Sequence, residues 1–405
     1  MITIKNGWLL ENNKLVKKDI LINDEGIITK INENLENQGE VIDAKNGFIM
    51  NGAVDVHVHL REPGFTHKET VKTGTLAAAK GGVTTCLAMP NLKPCADSLE
   101  HVNLEKQCIE KDALVNVLPF GAVTVGQKGE QMVDLEALKD QVVAFSDDGV
   151  GVNNIEILKE AMRLAKKYNF VIASHAEDVV NSKLPEGEYV AVRREIELAK
   201  EIGCKYHFCH MSTKESFDAI RKARSEGYTN ITCEVAPHHL ILNEEMIKDA
   251  NYKMNPPLRS EDNRLETVKA LLDGTATVIA SDHAPHSEEE KSQEYDKCPN
   301  GILGLETMLP IIYTYFVKEN KASYSDLVKW LVDEPSRIFN LPKKLIEVNQ
   351  KADLVVLDTN NKRKYTKEEI VSLGKNSPYI GMEFYGFPIC TILNDKIVWR
   401  VNDEI

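Results

Sequence analysis

At residues 55–64 the chain reads DVHVHLREPG, in which His57 and His59 stand two positions apart at the end of an apolar run. Side chains alternate between the two faces of a β-strand, so both imidazoles project from the same face. Two charged residues, Arg61 and Glu62, follow at once. The stretch predicts a strand whose carboxyl end carries either a metal site or two half-exposed histidines, and further ligands along the chain decide between them.

Seven more apolar runs follow, separated by helical sequence, and we interpret each as a strand. They read VTTCLAMP, LVNVLPFG, VVAFSDDG, FVIASHAE, KYHFCHMS, ITCEVAPHH and TVIASDHAPH. Residues 154–167 illustrate the helical intervals, because apolar residues from Ile155 to Ala165 recur at spacings of three and four. Strands that alternate with helices predict parallel β/α units, and eight of them predict an α/β fold, a (β/α)8 TIM barrel over residues 51–345.

Both ends of the chain have a different pattern of short strands and turns. Residues 1–50 include MITIKNGWLL and GIITKI, and residues 346–405 include ADLVVLD and CTILNDKIVW. These segments predict a small accessory β-sandwich domain built from both termini. Inside the barrel region, Thr66 with Glu69 predicts a capping box at the start of the first helix.

The composition excludes several classes of protein. The 405 residues contain 49 Lys and Arg against 62 Asp and Glu, a formal net charge of -13, so we expect no nucleic-acid partner. No apolar run reaches the roughly 18 residues of a membrane helix, and the first residues lack a signal-peptide pattern. The eight cysteines include no C-x-x-C pair, which favours reduced, buried thiols. We therefore expect a soluble cytoplasmic protein.

The predicted strands share a feature at their carboxyl ends, where nearly every run stops in a polar or ionisable residue. In a parallel barrel these ends converge on the face that carries the active site. Helix capping explains one or two such aspartates, but it does not predict repeated histidines. The residues concerned are His57, His59, Asn91, Asp147, Asp148, His175, His210, His238, His239 and Asp282.

Six of these side chains form a candidate ligand set: His57, His59, Asp148, His175, His210 and Asp282. Imidazole nitrogen and carboxylate oxygen suit zinc, and six ligands exceed what one tetrahedral ion takes. We therefore expect a site with positions for two Zn2+. Under working conditions, one or both positions are expected to be occupied in each subunit. Such a site lowers the pKa of water to about 7, and Asp282 would pass a proton to a leaving nitrogen. This chemistry is hydrolysis of a C–N bond or its reverse.

Nine motifs taken together carry a resemblance to a known family. They read DVHVHLREPG, AMPN, FSDDGVGV, ASHAED, FCHMST, APHHL, KMNPPLR, IASDHAPH and GLETMLP. In this order, over about residues 50–345, the chain resembles the dihydroorotases of the amidohydrolase superfamily, in particular the bacterial type in which an aspartate bridges the metals. The resemblance implies zinc-dependent, reversible cyclisation of N-carbamoyl-L-aspartate to L-dihydroorotate in pyrimidine (UMP) biosynthesis.

The resemblance also implies individual roles. His57 and His59 would hold one zinc, His175 and His210 the other, Asp148 would bridge them, and Asp282 would bind the first zinc as the catalytic base and acid. Asp147 is the rival for the bridging position. The implied substrate-binding residues are Arg61, Asn91, Asn255, His286, Asn300 and Gly301.

Four residues near the predicted site have more than one interpretation or depart from the family pattern. Arg61 offers a planar fork of donors that suits the substrate carboxylate, and the alternative is a surface ion pair with Glu62. Asn300 stands where the family often has an aromatic residue, so the contact there differs. His238 and His239 are interpreted as supporting residues, with direct catalysis as the alternative.

Two rival functions remain open on the sequence. Another cyclic amidohydrolase, such as a dihydropyrimidinase, hydantoinase or allantoinase, would typically bridge its metals with a carboxylated lysine where this chain has an aspartate. A non-catalytic scaffold for aspartate transcarbamoylase would generally lose metal ligands, and all six are present here. The resemblance further implies a homodimer or a complex with aspartate transcarbamoylase.

Overall fold

The computed structural model describes residues 1–182 and 184–401. Five strands come first: β1 (Ile2–Glu11), β2 (Lys14–Ile22), β3 (Ile28–Asn32), β4 (Glu40–Asp43) and β5 (Phe48–Asn51). The central region contributes β6 (Ala53–Val58), β7 (Val83–Ala88), β8 (Asn116–Pro119), β9 (Val171–Ser174), β10 (Lys205–Phe208), β11 (Ile231–Val235) and β12 (Val278–Ile279). The last strands are β13 (Asp353–Asp358), β14 (Arg363–Lys364), β15 (Glu383–Phe384), β16 (Phe387–Leu393) and β17 (Lys396–Arg400).

Helices fill the intervals between the central strands and continue after them. They are α1 (Val71–Lys80), α2 (Leu99–Asp112), α3 (Leu135–Leu138), α4 (Ile155–Tyr168), α5 (Pro185–Ile202), α6 (Lys214–Ser225), α7 (Pro237–Ile241), α8 (Glu261–Leu272), α9 (Glu288–Lys291), α10 (Met308–Ile312), α11 (Tyr324–Val328) and α12 (Glu334–Ile338). Two π-helical turns, Tyr313–Lys318 and Lys329–Asp333, extend α10 and join α11 to α12. Within the described residues, every helix is too short or too polar to cross a lipid bilayer.

The central strands form a closed parallel ring. β6, β7 and β8 pair in order, and β9, β10, β11 and β12 form a second parallel set. Phe145 joins the sets by parallel bridges to Gly121 and Ile172, and His283 closes the ring with a parallel bridge to Val58. The strand residues are almost all buried, as expected for a parallel sheet covered by helices on one face. The predicted TIM barrel is confirmed.

The fourth barrel strand is shorter than the sequence predicts. Over 142–149 only Phe145 makes ladder bridges, although Val143 N–H still donates to Pro119 O at 2.9 Å. The chain leaves the sheet directly after Phe145, because the carboxylate of Asp147 accepts hydrogen bonds from the backbone of the preceding loop. This early turn determines which aspartate faces the barrel axis.

The first barrel helix also begins differently from the prediction. Thr70, and not Thr66, caps α1, and its partner in the capping box is Thr73. Glu69 is fully buried and accepts hydrogen bonds from the hydroxyl of Ser372 and from the N–H of Leu373. The prediction was wrong here because the carboxylate binds a segment 303 residues away in the chain. By contrast α4 (Ile155–Tyr168) differs by one residue at each end from the predicted helical stretch 154–167, and Asn154 is its N-cap.

The accessory sheet draws strands from both ends of the chain. Its order is β17-β16-β13-β5-β1-β2-β3, with β4 beside β1. The sheet bends back on itself, because Ile27 bridges Lys351 and Ile28 N–H donates to Gln350 O at 2.9 Å. The fold encloses a separate apolar core that includes Ile4, Ile20, Ile42, Leu354 and Ile392. A barrel with an accessory sheet from both termini is thus the observed architecture.

One part of the C-terminal segment returns to the barrel. The side chain of Asn376 donates to Ala284 O at 3.1 Å and to Gly301 O at 3.0 Å, and it accepts from His286 N–H at 3.1 Å. These contacts attach residues near 376 to the carboxyl face of the barrel. The boundaries at residues 50 and 345 stay a prediction about independent folding units.

Candidate metal centre and active site

Six ionisable side chains converge at the carboxyl ends of the barrel strands. His57 lies at the end of β6 and His59 follows it, Asp148 follows the short fourth strand, His175 follows β9, His210 follows β10 and Asp282 follows β12. All six are buried, with relative exposures of 0 to 6%. Two of them, His210 (φ 33°) and Asp282 (φ 48°), have left-handed backbone conformations, as does Arg61 (φ 61°). Strained positions of this kind cluster at functional sites.

The carboxylate of Asp148 lies between the imidazoles. Its Oδ1 atom is 3.3 Å from Nε2 of His57, 3.7 Å from Nε2 of His210 and 3.7 Å from Nδ1 of His175. Its Oδ2 atom is 3.5 Å from Nε2 of His59. One carboxylate therefore faces all four histidines, which is the position that a bridging ligand needs.

Asp282 closes one side of the cluster. Its Oδ1 atom is 3.4 Å from Nε2 of His59 and 3.7 Å from Nε2 of His57. On the other side, Nδ1 of His175 and Nε2 of His210 approach each other to 3.1 Å. The six predicted ligands thus form two overlapping groups with Asp148 between them.

The donor atoms fit a metal site. In the part of the chain that the structure describes, three sets of three ligand atoms lie within 4.8 Å of one another: those of His57, Asp148 and His210, those of His57, His59 and Asp282, and those of His57, Cys209 and Glu234. Among the described residues, Nε2 of His57 and Oδ1 of Asp148 are buried without a hydrogen-bond partner. Buried polar atoms normally have partners, so these two atoms are placed for an ion. Nitrogen and oxygen donors of this type suit zinc.

The charges of the cluster are mutually dependent. Burial alone would raise the pKa of Asp148 and Asp282, but the surrounding imidazoles outweigh it and lower both pKa values. Burial would likewise lower the pKa of His57, but Asp148 raises it. Both carboxylates are therefore held in the ionised form, as metal ligands must be.

The two adjacent aspartates have different surroundings. Asp147 points away from the histidines and accepts hydrogen bonds from Val123 N–H at 2.8 Å and Thr124 N–H at 3.1 Å, and from the Thr124 hydroxyl. Asp148 points into the cluster. Asp147 therefore holds the loop, and Asp148 is the residue placed to bridge.

Glu234 is a site residue that the sequence reasoning missed. This buried carboxylate at the end of β11 lies 2.9 Å from Nδ1 of His57 and 3.0 Å from Nε2 of His207, and accepts from His210 N–H at 3.2 Å. Burial opposes its charge, but His207 and His57 lower the pKa of Glu234 to about 2. An acidic residue inside the apolar run ITCEV was the available signal.

Cys209, which precedes His210, contributes packing to this region. The side chain is buried inside the barrel with Val54, Val56 and Phe120. Burial raises the pKa of the Cys209 thiol, so it stays protonated beside the ligand cluster. All eight cysteines of the chain are free.

Arg61 and His286 form the polar side of the cleft next to the ligands. Nε of Arg61 donates to Pro285 O at 3.2 Å, and its Nη2 atom lies 3.4 Å from Nε2 of His286. Glu62 turns away and accepts from Val71 N–H at 2.9 Å, so the alternative of a surface ion pair with Arg61 is not what the structure shows. The guanidinium thus faces the site.

The predicted asparagines lie in the same region. Oδ1 of Asn91 accepts from Nδ1 of His59 at 2.8 Å, and Nδ2 of Asn91 donates to Asp148 at 3.2 Å. Nδ2 of Asn255 lies 3.1 Å from Nε2 of His175. Both amides therefore contact the ligand cluster as well as lining the cleft.

Asn300 and Gly301 approach the cleft through their backbone. The carbonyl of Asn300 accepts from Nε2 of His286 at 2.7 Å. Gly301 has φ +133°, and a Cβ atom there would lie 3.0 Å from Nε2 of His286 and 2.6 Å from Ala284 O. A side chain at Gly301 would therefore displace the imidazole.

The adjacent histidines of α7 lie beneath the site. Both are buried, and Nε2 of His239 donates to Pro256 O at 3.1 Å. Burial lowers the pKa of His239 to about 4 and also lowers that of His238. Two neutral, packed imidazoles fit the predicted supporting role.

The chain is similar to known proteins over nearly its whole length. Residues 47–184 match the family described as Dihydro-orotase-like. The dihydroorotase of Bacillus cytotoxicus is 43% identical over 419 residues, which cover 98% of this chain and 97% of that protein. The dihydroorotase of Staphylococcus epidermidis is 43% identical over 424 residues, which cover 99% of each chain.

Solved structures share the architecture. The L-hydantoinase (dihydropyrimidinase) from Arthrobacter aurescens superposes with a TM-score of 0.88 at 26% identity, covering 98% of this chain and 96% of its own. The dihydropyrimidinase from Brevibacillus agri superposes with a TM-score of 0.85 at 24% identity, covering 98% of this chain and 95% of its own, which shows the fold alone. The barrel with an accessory sheet is therefore common to these enzymes.

Proposed function

Because the chain belongs to the dihydroorotases of the amidohydrolase superfamily, we propose that it cyclises N-carbamoyl-L-aspartate reversibly to L-dihydroorotate and water at the cluster around Asp148. The observation that carries the assignment of the site is the position of this carboxylate, with its Oδ atoms within 3.7 Å of four imidazoles. The protein is a cyclic amide hydrolase of pyrimidine biosynthesis.

We assign the ligands as follows. His57, His59 and Asp282 would hold one Zn2+, His175 and His210 would hold a second, and Asp148 would be shared by both. When bound, the ions lower the pKa of water to about 7 and polarise the amide carbonyl of the ring. The orphaned Nε2 of His57 and Oδ1 of Asp148 support this assignment.

Asp282 moves the proton in this scheme. In ring opening, water adds to the amide carbonyl, the C–N bond breaks, and the proton that the water loses goes to the ring nitrogen. Oδ1 of Asp282 lies at the edge of the ligand cluster, 3.4 Å from Nε2 of His59, and so faces the place where the carbonyl must sit. The carboxylate accepts the proton as base and returns it as acid, and cyclisation runs the same steps backwards.

Arg61, Asn91 and His286 are assigned to the substrate carboxylate, and Asn255 and the backbone at Asn300 and Gly301 to the ring. A planar guanidinium binds a carboxylate through two parallel hydrogen bonds. The positions of Arg61 and His286, 3.4 Å apart at the edge of the cleft, support this division. A carboxylate placed there leaves the ring above Asp282.

The hydantoinase alternative is not favoured. Sequence identity is 43% to dihydroorotases and 26% to the hydantoinase of similar fold, and Asp148 stands where those relatives typically carry a carboxylated lysine. A scaffold without activity would not keep all six ligands in contact distance. A cytoplasmic homodimer, or a complex with aspartate transcarbamoylase, is the association that the family resemblance favours.

Ring opening of L-dihydroorotate by the zinc-supplemented protein, measured beside dihydrouracil, tests the proposal. We expect turnover of dihydroorotate alone, and its loss when a chelator removes the metal. Turnover of dihydrouracil that exceeds that of dihydroorotate would overturn the substrate and leave the metal chemistry. Full turnover after removal of all metal would overturn the zinc assignment.

A further inference from the structure

Lys68 reaches the carboxylate side of the cleft from the segment before α1. Its Nζ atom lies 3.4 Å from Nδ1 of His286 and 2.9 Å from Oε1 of Glu290. The side chain is 16% exposed and also lies over the ring of Phe65, 5.5 Å from its centroid. The ammonium is therefore held in place by three neighbours from separate parts of the chain.

The hydrogen bonds of His286 fix the position of its proton. A carbonyl oxygen only accepts, so the contact of 2.7 Å to Asn300 O requires a hydrogen on Nε2. An ammonium only donates, so the contact to Lys68 uses a lone pair on Nδ1, while Oε2 of Glu290, also 3.4 Å from Nδ1, accepts from Ser287 N–H at 3.0 Å. Both requirements are met by the neutral ring, and burial together with Arg61 and Lys68 lowers the pKa of His286 to about 3.

Two cations therefore flank one neutral imidazole. Nη2 of Arg61 lies 3.4 Å from Nε2, on the side of the cleft, and Lys68 lies at Nδ1, on the opposite edge of the ring. Glu290 contributes one negative charge at 3.4 Å from Nδ1. The three charged groups that face His286 leave a net positive charge beside its Nε2–H.

We propose that Lys68 is a specificity-determining residue that positions His286 for the substrate carboxylate. By donating to Nδ1, it keeps the hydrogen on Nε2, where the bond to Asn300 O holds the ring beside Arg61, the charged donor for the anion. Its charge adds to the positive potential of this edge of the cleft. The inference rests on the proposed carboxylate site of Arg61 and His286 and adds to that site a residue that does not touch the substrate.

The test compares Lys68→Met with Lys68→Arg and with Lys72→Met, a control at an exposed lysine on α1. We expect Lys68→Met to raise the KM for dihydroorotate by roughly tenfold, the effect of a lost charge-assisted hydrogen bond, with kcat nearly unchanged. Lys68→Arg restores a charged donor and is expected to recover most of the loss.

The pH dependence of KM supplies a second readout. Without Lys68, His286 stays buried beside Arg61, and these two larger causes keep the pKa of its ring low. We expect the KM defect of Lys68→Met to be the same at about pH 6 and about pH 8, because a neutral ring does not supply the missing charge. The KM ratio of Lys72→Met to the unaltered protein should be independent of pH.

Three results would overturn the inference. One is an unchanged KM in Lys68→Met when Arg61→Ala raises it. The second is a fall in the kcat of Lys68→Met as large as its rise in KM, which indicates a general disturbance of the site. The third is the same KM defect in Glu290→Gln. This variant keeps the capping contact at the start of α9 but removes the ion pair with Lys68, so an equal defect would show that the ion pair only supports the loop. If Arg61→Ala itself leaves KM unchanged, the proposed carboxylate site fails and the inference falls with it.

Discussion

Nδ1 of His57 lies 2.9 Å from Oε1 of Glu234, and both side chains are buried in the barrel. A carboxylate accepts from Nδ1–H, so the lone pair of His57 is on Nε2, the atom that faces Asp148 at 3.3 Å. Contacts of this kind fix the tautomer and the orientation of metal-binding histidines. The same carboxylate accepts from His210 N–H, so one side chain aligns ligands from two strands.

Glu234→Gln is expected to weaken zinc binding without unfolding the protein. The amide keeps the shape of the side chain but loses the charge that orients His57, and changes of this type lower metal affinity by roughly 10- to 100-fold. Competition with a chromophoric chelator measures the affinity. Glu294→Gln, at an exposed carboxylate, is the control. Equal zinc affinity in both variants would remove Glu234 from the metal site.

Asp282→Asn is expected to retain metal and lose turnover. The amide oxygen still faces His59, but the side chain no longer accepts and returns a proton, so kcat should fall by about two to four orders of magnitude. Steady-state kinetics and zinc content of the purified variant are measured together. Asp296→Asn, at an exposed aspartate, serves as the control. A kcat near that of the unaltered protein would contradict the proton-transfer role.

Arg61→Ala is expected to act on binding of the carboxylate. Loss of the guanidinium removes the charged donor beside His286, and the KM for dihydroorotate should rise on the order of one hundred-fold. Initial rates over a range of dihydroorotate concentrations give this value. The exposed Arg163→Ala on α4 controls for a general loss of positive charge. The assignment of Arg61 fails if KM is the same in both variants.

Glu105→Gln is expected to stabilise the protein increasingly as the pH rises. Glu105 is buried on α2 and burial raises its pKa well above the usual value. Above pH 4.5 the carboxyl group of Glu105 is ionised in the unfolded chain but still protonated in the folded protein. The free energy of unfolding therefore falls by up to about 1.4 kcal/mol per pH unit until the folded pKa is reached. Below pH 4.5 both states are protonated, and the glutamate imposes no such loss.

Denaturant unfolding between about pH 5 and 8 measures this effect. The gain in unfolding free energy of Glu105→Gln over the unaltered protein should grow with pH. Glu110→Gln, at an exposed position of the same helix, should give a constant difference. Parallel curves for Glu105→Gln and the unaltered protein would show that Glu105 is ionised in the folded state.

The sequence predicts the barrel and the ligand set because both depend on local order. A residue that ends a parallel strand lies on the carboxyl face whatever its neighbours are, so His57, His175 and Asp282 could be placed without a structure. The choice between Asp147 and Asp148 could not be made in this way. Adjacent residues on one turn both reach the face, and only the path of the loop at Thr124 separates them.

Contacts between residues on different strands of the barrel could not be predicted from the sequence. Glu234 and His57 are 177 positions apart, and Lys68 and His286 are 218 apart. No spacing rule connects such residues, since their proximity follows from closure of the barrel. Glu69 shows the same limit, because a local capping partner was predicted where the actual partner is Ser372.

The left-handed backbone at Arg61, His210 and Asp282 has a consequence for directed evolution. Each non-glycine residue in such a conformation costs about 1–3 kcal/mol, and glycine relieves the cost. A library of variants selected only for heat resistance should therefore accumulate glycine or asparagine at these three positions, and the selected variants should lose catalytic activity. Selection for growth without supplied product, where the cell depends on the enzyme to make it, would keep the strained residues, so the two selections should diverge first at these positions.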